Sequence, residues 1–234
     1  MDQSLDLQTE LFATARANRL GVCAPKLIAN GVVEDKYRFA YMIIEYIQGV
    51  ELCEALKTMT DDEKTEIARK LRAITDKMNR PCEPFHNIDI INDKERAIRW
   101  EKYPARFKTE RLAYITSRDY GEYVFVHGDL NCDNILLTPQ GELCIIDFAD
   151  AVLAPIIYEH ALMVFAFAFD PALLRGYFGN IPSDELVNIC FDGLLIHDFG
   201  GDIVEECLGE VSGLQSLEDL RKSLKNKLEG KCHK

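Results

Sequence analysis

The stretch from Val124 to Phe148, VFVHGDLNCDNILLTPQGELCIIDF, constrains this chain more than any other. A short apolar run leads into His127, Asp129, Asn131, Asp133 and Asn134. A second apolar run follows at once and turns at Thr138 to Gly141 into a third, so the segment after Asn134 reads as a β-hairpin. Asp and Asn gather in turns because their side chains bond their own backbone. A lone His-Gly-Asp would therefore read as a loop cap. Here, however, Asp147 stands thirteen residues beyond Asn134, at the far end of the hairpin. A hairpin folds back on itself, so its first and last residues meet. Asn134 and Asp147 come side by side, with Asp129 just upstream on the same loop.

That convergence has a chemical reading. Mg²⁺ prefers hard oxygen ligands and uses one or two carboxylates, the rest of its shell coming from phosphate oxygens and water. Asn134 and Asp147 supply an amide oxygen and a carboxylate. Asp129 is left to orient a hydroxyl and accept its proton. The expectation is a magnesium–nucleotide site for phosphoryl transfer.

The rest of the chain reads as two unequal parts. Residues 8–20 form a helix closed by Gly21, followed by two extended segments. The first, APKLIANGVV, turns at Asn30-Gly31. The second, RFAYMIIEYIQG, has the aromatic and β-branched content of a buried strand ending at Gly49. After it, Thr60 and Glu63 make a capping box, and Ile67, Leu71, Ile74 and Met78 share one helical face ending before Pro81. Further helices are predicted at 93–118 around Pro104, at about 156–169, after Pro182, and over SLEDLRKSLKNKL with its stripe of Leu217, Leu220, Leu224 and Leu228. The fold class is α+β, with a small mixed part over 1–49 and a mainly helical part over 50–234.

The Asp–Asn–hairpin–Asp layout resembles the protein-kinase fold. Its wording, HGDL and IIDFADA, is similar to the branch containing aminoglycoside phosphotransferases and choline kinases. The resemblance implies a two-lobe structure with a small N-lobe and a helical C-lobe carrying the catalytic hairpin. It implies Asp129 as the catalytic Asp, His127 as a brace of the catalytic loop, and Asn134 and Asp147 as magnesium ligands. Backbone groups of Glu45, Tyr46 and Ile47 would meet the adenine of ATP. Glu159 stands where the family carries a structural carboxylate, and His160 reads as a core histidine. Glu10 falls where the family's small-lobe helix carries a Glu that pairs with a phosphate-binding Lys, although a Glu in a first turn also favours the helix dipole. The literal Asp-Phe-Gly at 198–200 lies 64 residues beyond Asn134, so Asp198 is expected to be an exposed or substrate-facing acid.

One departure matters. The family's phosphate loop and its Lys precede the Glu helix, but only nine residues precede Glu10, there is no GxGxxG, and the first Lys is Lys26. Strands of the small lobe are expected to be missing, leaving a sheet edge and apolar surface uncovered. This pattern is what a truncated copy, or a reading frame continuing upstream, would present. Charge stabilisation dominates phosphoryl-transfer catalysis, so the alternative to an ATP- and Mg²⁺-dependent small-molecule kinase is a pseudokinase that binds ligand without chemistry.

Composition narrows the partners. A net charge of −12 argues against nucleic acid or an anionic membrane. It is compatible with a cationic hydroxyl substrate such as an aminoglycoside, choline or a sugar-like molecule. Asp198 and Asp202, with Asp192, Glu205 and Glu206, could receive such a cation, their ordinary reading being a solvated helix face. No secretory signal is visible. The eight Cys contain no CxxC pair, so reduced thiols in the cytoplasm are expected.

Overall fold

The computed structural model describes residues 3–230. Helix α1 spans Gln3–Arg19, and strands β1 (Leu27–Glu34) and β2 (Arg38–Ile44) form an antiparallel ribbon behind it. After an extended link come β3 (Val50–Glu51), α2 (Leu52–Leu56), α3 (Asp61–Met78), the short α4 (Lys94–Ala97) and α5 (Ala105–Ser117). Strand β4 (Tyr123–Val126) leads into the polar loop. The hairpin is β5 (Ile135–Leu137) with β6 (Leu143–Ile145), and β7 (Val152–Pro155) returns to pair with β4. Helices α6 (Ile157–Ala166), α7 (Pro171–Phe178), α8 (Ser183–Ile196), α9 (Gly200–Leu208) and α10 (Leu217–Leu228) complete the chain.

The predicted helix signals operate as stated. The Thr60 hydroxyl accepts the Glu63 N–H while the Glu63 carboxylate accepts the Thr60 N–H, so two of the unpaired donors at the start of α3 are satisfied. Ile67, Leu71 and Met78 are buried, and Leu220 and Leu224 are fully buried on α10. At the hairpin turn the Gly141 N–H donates to the Thr138 carbonyl at 2.9 Å.

The apolar residues divide into two cores. One is formed largely by α5, α6, α8, α9 and α10. The other lies under the polar loop and joins Ala13 and Ala17 of α1 to Leu71, Phe125, Leu130, Ile135, Ile145 and Phe148. α1 is thus packed onto the same core as the hairpin. Buried Arg16 fastens it further, donating to the carbonyls of Met78 at 3.2 Å and Arg80 at 3.1 Å and stacking over the Phe125 ring.

Three expectations are corrected here. The Asn30-Gly31 pair is not a turn: the ladder runs through it, Gly31 opposite Tyr41, and the ribbon turns at Asp35–Tyr37 instead. Gly31 gives the Tyr41 ring room to lie across the strand. Second, β2 is not buried. Phe39 is 53% exposed and Ile43 49%, and Ile28 on β1 is 68% exposed; among the described elements α1 packs against β2 and leaves these side chains uncovered. The expected uncovered apolar surface is this ribbon. Third, the cysteines are not all reduced. Cys23, just past α1, forms a disulfide with Cys144 of β6. The two backbones meet there in a parallel bridge, the Ile145 N–H donating to the Cys23 carbonyl at 2.8 Å, which brings the Cα atoms to 4.5 Å. Cys53, Cys82, Cys132, Cys190 and Cys207 are free thiols, and Cys232 lies outside the described residues.

Two measurements test this packing. On α7, a Cβ added at Gly176 would sit 2.3 Å from the Thr65 carbonyl oxygen and 2.7 Å from the Ala68 Cβ. Gly176→Ala is therefore expected to lower the urea-unfolding free energy by about 1–3 kcal/mol through overpacking. The disulfide closes a long loop, its cysteines being 121 residues apart. Reduction, or Cys144→Ser, is expected to cost about 2–5 kcal/mol, and a non-reduced tryptic digest should contain the Cys23–Cys144 cross-linked peptide.

Candidate active site

The site begins with a buried carboxylate. Glu159, in the first turn of α6, is fully buried. It accepts hydrogen bonds from the N–H of His127 at 3.0 Å, the N–H of Gly128 at 3.2 Å, and the Asn79 amide at 3.4 Å. Asn79 also donates to the Phe125 carbonyl at 2.9 Å. One side chain therefore ties the end of α3, the end of β4 and the start of the loop to α6. Burial pushes the Glu159 carboxyl up to about 7, the three donors working in the opposite direction.

His127 carries this order to the hairpin. It is fully buried, and its Nε2 donates to the Ile146 carbonyl at 3.0 Å, next to Asp147. That bond fixes the tautomer, leaving Nδ1 to accept the Asp129 N–H at 3.3 Å. Burial holds its pKa down at about 4, so the ring is neutral at ordinary pH. With Nε2–H donating and Nδ1 accepting, both ring nitrogens are engaged, and the ring braces the loop.

Gly128 shows how tightly the loop is pressed onto the 148–151 turn. Its φ is +86°, and a Cβ there would lie 2.0 Å from the Asp150 carbonyl oxygen. The Asn131 side chain then accepts the N–H groups of Asp133 at 2.9 Å and Asn134 at 3.1 Å, capping the single 3₁₀ turn before β5.

Asn134 and Asp129 are brought together directly. The Asn134 amide nitrogen donates to the Asp129 carbonyl at 2.8 Å and to its carboxylate at 3.0 Å. With the nitrogen spent on Asp129, the amide oxygen is left as an acceptor. Asp147 arrives from the other strand, since Ile135 pairs with Ile145 and the Ile146 N–H donates to the Asn134 carbonyl at 3.0 Å. Asp147 has φ +59°, a left-handed conformation that Asp tolerates better than most residues and that ends β6 sharply. The chemistry of the donors, an amide oxygen whose nitrogen is already committed and a carboxylate brought to the same end of the hairpin, is that of hard-cation ligands. The Asp129 carboxyl is raised, mainly by burial, with Asp147 and Asp133 adding to the effect.

A cavity of about 630 Å³ opens beside Asp147. Glu10, Glu45, Tyr46 and Ile47 all line it, with Met42, Ile44, Leu136 and Ile146 as apolar walls. Five of the predicted residues therefore share one space. Glu10 lies deep in it, one carboxylate oxygen accepting the Thr14 hydroxyl at 3.1 Å. Burial raises its pKa to about 7, and the nearby charges of Asp147 and Asp150 push in the same direction.

The predicted substrate acids separate. Asp198 lies in the turn between α8 and α9, not inside a helix. It is half-buried, pairs with Arg99 at 3.5 Å, and its charge also acts on Asp150 beside the loop. Asp202 bonds Arg99 at 2.8 Å and Lys102 at 2.6 Å, so its charge is compensated. Glu205 bonds Lys102 as well, and Asp192 takes the Tyr114 hydroxyl at 2.6 Å and Arg118 at 3.0 Å. His160 is a core histidine, edge-on to Tyr177 and Phe178.

Two site residues escaped the sequence reading. Asn79 carries the signal of an Asn just past a helix end, which is common and therefore uninformative. Asp150 is the last acid of DFAD, and burial, reinforced by Asp129, Asp198 and Asp147, raises its pKa to about 6.

Solved structures share this architecture. A microcompartment-associated aminopropanol kinase is 18% identical, with 97% of this chain and 83% of that chain covered and a TM-score of 0.58. Choline kinase LicA from Streptococcus pneumoniae is 15% identical, with 95% and 80% covered and a TM-score of 0.55. An aminoglycoside phosphotransferase from Alicyclobacillus acidocaldarius is 16% identical, with 99% and 84% covered and a TM-score of 0.57. No curated protein sequence matches significantly. The family model described as "Phosphotransferase enzyme family" (APH) matches residues 2–181, and the chain, with its kinase-like fold, belongs to that family.

Proposed function

We propose that this protein transfers the γ-phosphate of ATP to a hydroxyl of a small molecule, with Asp129 as the base. The observation that carries this reading is the Asn134 side chain, which binds Asp129 through its nitrogen and leaves its oxygen as an acceptor at the end of the hairpin to which β5–β6 pairing also brings Asp147. Asn134 and Asp147 would hold Mg²⁺, which would supply positive charge against the charge on the transferred group. Asp129 accepts the hydroxyl proton as the substrate oxygen bonds to phosphorus and the bond from phosphorus to the ADP oxygen breaks. Asn131 and Asn134 amides aim its carboxylate, at 3.2 Å and 3.0 Å. His127 holds the loop at a fixed distance from the hairpin end.

The adenine fits the apolar part of the cavity, against Met42, Ile44 and Leu136. The Glu45 N–H is already committed to the Lys26 carbonyl at 2.8 Å, so base recognition falls to the Glu45 carbonyl and the Ile47 N–H. A LicA structure, described as a complex with AMP, shares the fold at a TM-score of 0.52 and supports nucleotide use. The acceptor side is acidic. Asp150 and Asp198 stand beside the loop and favour a substrate carrying an amine as well as a hydroxyl, the character of aminoglycosides, choline and aminopropanol. Among the described residues no helix is long and apolar enough to cross a membrane.

The test is ATP turnover against a panel of aminoglycosides, choline, aminopropanol and simple sugars. Asp129→Asn is expected to lower kcat by about 10²–10⁴-fold, the usual worth of a positioned base, with the thermal midpoint nearly unchanged. Undiminished turnover in that variant removes Asp129 from the chemistry. Nucleotide-dependent thermal stabilisation without turnover on any acceptor favours the pseudokinase reading.

A further inference from the structure

The lining of the cavity beside Asp147 comes from two distant parts of the chain. Pro25, Ile44 and Glu45 belong to the first 49 residues, and Leu136, Ile146 and Asp147 to the hairpin and its end. The disulfide between Cys23 and Cys144 joins these two parts. Cys23 lies just before Pro25, whose carbonyl accepts the Asn18 amide at 3.1 Å. Lys26 follows, and its carbonyl takes the Glu45 N–H at 2.8 Å, so the segment assigned to the adenine hangs on this short stretch. On the other side, Cys144 pairs with Leu136 across the hairpin and is followed closely by Ile146 and Asp147. The cross-link therefore sets the separation of residues that line one space. A backbone bond supports it, the Ile145 N–H donating to the Cys23 carbonyl at 2.8 Å, and Val22 and Ala24 are buried in the core beneath the polar loop. Opening the disulfide thus loosens the stretch without detaching it. Cys23 is half-buried and Cys144 fully buried, so a reagent reaches the pair from the Cys23 side.

We propose that the Cys23–Cys144 disulfide is a redox latch on the nucleotide cavity: closed, it holds the two sets of lining residues ready for the nucleotide, and a dithiol that opens it weakens nucleotide binding. The inference rests on the phosphotransferase reading for the identity of the ligand. A closed latch spares the nucleotide the cost of ordering its own site. In the opening step a thiolate of the dithiol attacks the Cys23 sulfur. A new sulfur–sulfur bond forms there, the bond to Cys144 breaks, and the Cys144 sulfur leaves with the electron pair and takes a proton. The second thiol of the reductant then attacks its own partner sulfur and releases Cys23 as a thiol. The protein gains two electrons and two protons, and the dithiol becomes a cyclic disulfide. A small-molecule disulfide closes the latch by the reverse exchange. Linkage makes the coupling reciprocal: a closed latch that favours the nucleotide is favoured by it to the same factor.

The experiment uses the full chain, Mg²⁺, and an ATP analogue whose β–γ bridging oxygen is replaced by NH. Calorimetry measures its affinity for the oxidised chain and for the chain held in dithiothreitol, with circular dichroism recording the fold of each. The oxidised chain is expected to bind about tenfold tighter. Cys23→Ser, which cannot form the latch, is expected to bind like the reduced chain under both conditions, which assigns the effect to this pair and not to the free thiols. The second readout is the reduction midpoint of the disulfide, followed by mass spectrometry of the cross-linked peptide across a dithiothreitol series. Saturating analogue is expected to lower that midpoint by about 30 mV, the same tenfold factor for a two-electron couple. A cross-link that only stabilises the fold leaves the midpoint where it was. Equal affinity in the two states, or a midpoint that the analogue does not move, overturns the latch and leaves the phosphotransferase reading standing. So do free thiols at Cys23 and Cys144 in the oxidised chain, or a reduced chain that unfolds. A chain that binds no analogue in either state overturns both.

Discussion

The buried carboxylate of Glu159 is the point on which the rest of the site depends. A charge without partners in a protein interior costs several kcal/mol, so this side chain is tolerated only because three donors converge on it. Those donors come from the end of α3, from His127 and from Gly128, so one side chain adds to the hydrogen bonds between Asn79, Arg80 and Phe125 in tying the end of α3 to the loop. Once they are held, the loop has few alternatives. His127 is pinned between Asp129 and Ile146, and the hairpin end is drawn to the loop. Asp147 then arrives opposite Asn134 through β pairing and not through a contact of its own. The geometry of three oxygen-bearing side chains is thus a consequence of one buried acid placed a strand and a turn away.

The second constraint is the attachment of α1. A helix near one end of a chain is held only by what it buries. Here Ala13 and Ala17 enter the core beneath the catalytic loop, and Arg16 satisfies two carbonyls left over at the end of α3. Cys23, linked to Cys144, fixes the segment after the helix to the hairpin itself. These contacts place Glu10 in the same cavity as Asp147. The β1–β2 ribbon has no comparable anchor and keeps its apolar side chains in water. The first 49 residues therefore have one element integrated with the core beneath the polar loop and another that projects from it.

The charge of the site follows from the same packing. Glu10, Asp129, Asp150 and Glu159 are all shifted towards the neutral acid, chiefly by burial. His127 is neutral for the same reason. The region offers acceptors and little positive charge of its own, which is the ground on which a metal–nucleotide and an amine-bearing acceptor are proposed for it.

Much of this was legible in the chain before folding. The strand–loop–hairpin spacing announces Asp129, Asn134 and Asp147, because a hairpin's geometry is local and a few residues settle it. The capping box of α3 and the leucine stripe of α10 are equally local. What only the tertiary structure decided are the contacts between distant segments: Asn79 reaching Glu159, Asp150 pressed against Gly128, Arg16 clamping α1, Cys23 meeting Cys144. The ribbon shows the same limit from the other side. Its β-branched and aromatic residues describe a strand, and composition cannot say whether anything covers it, since burial is a property of neighbours and not of the residue. Local bonding rules wrote the site's chemistry into the sequence. Its charge balance and the fixing of α1 wait for long-range packing, which no short stretch encodes.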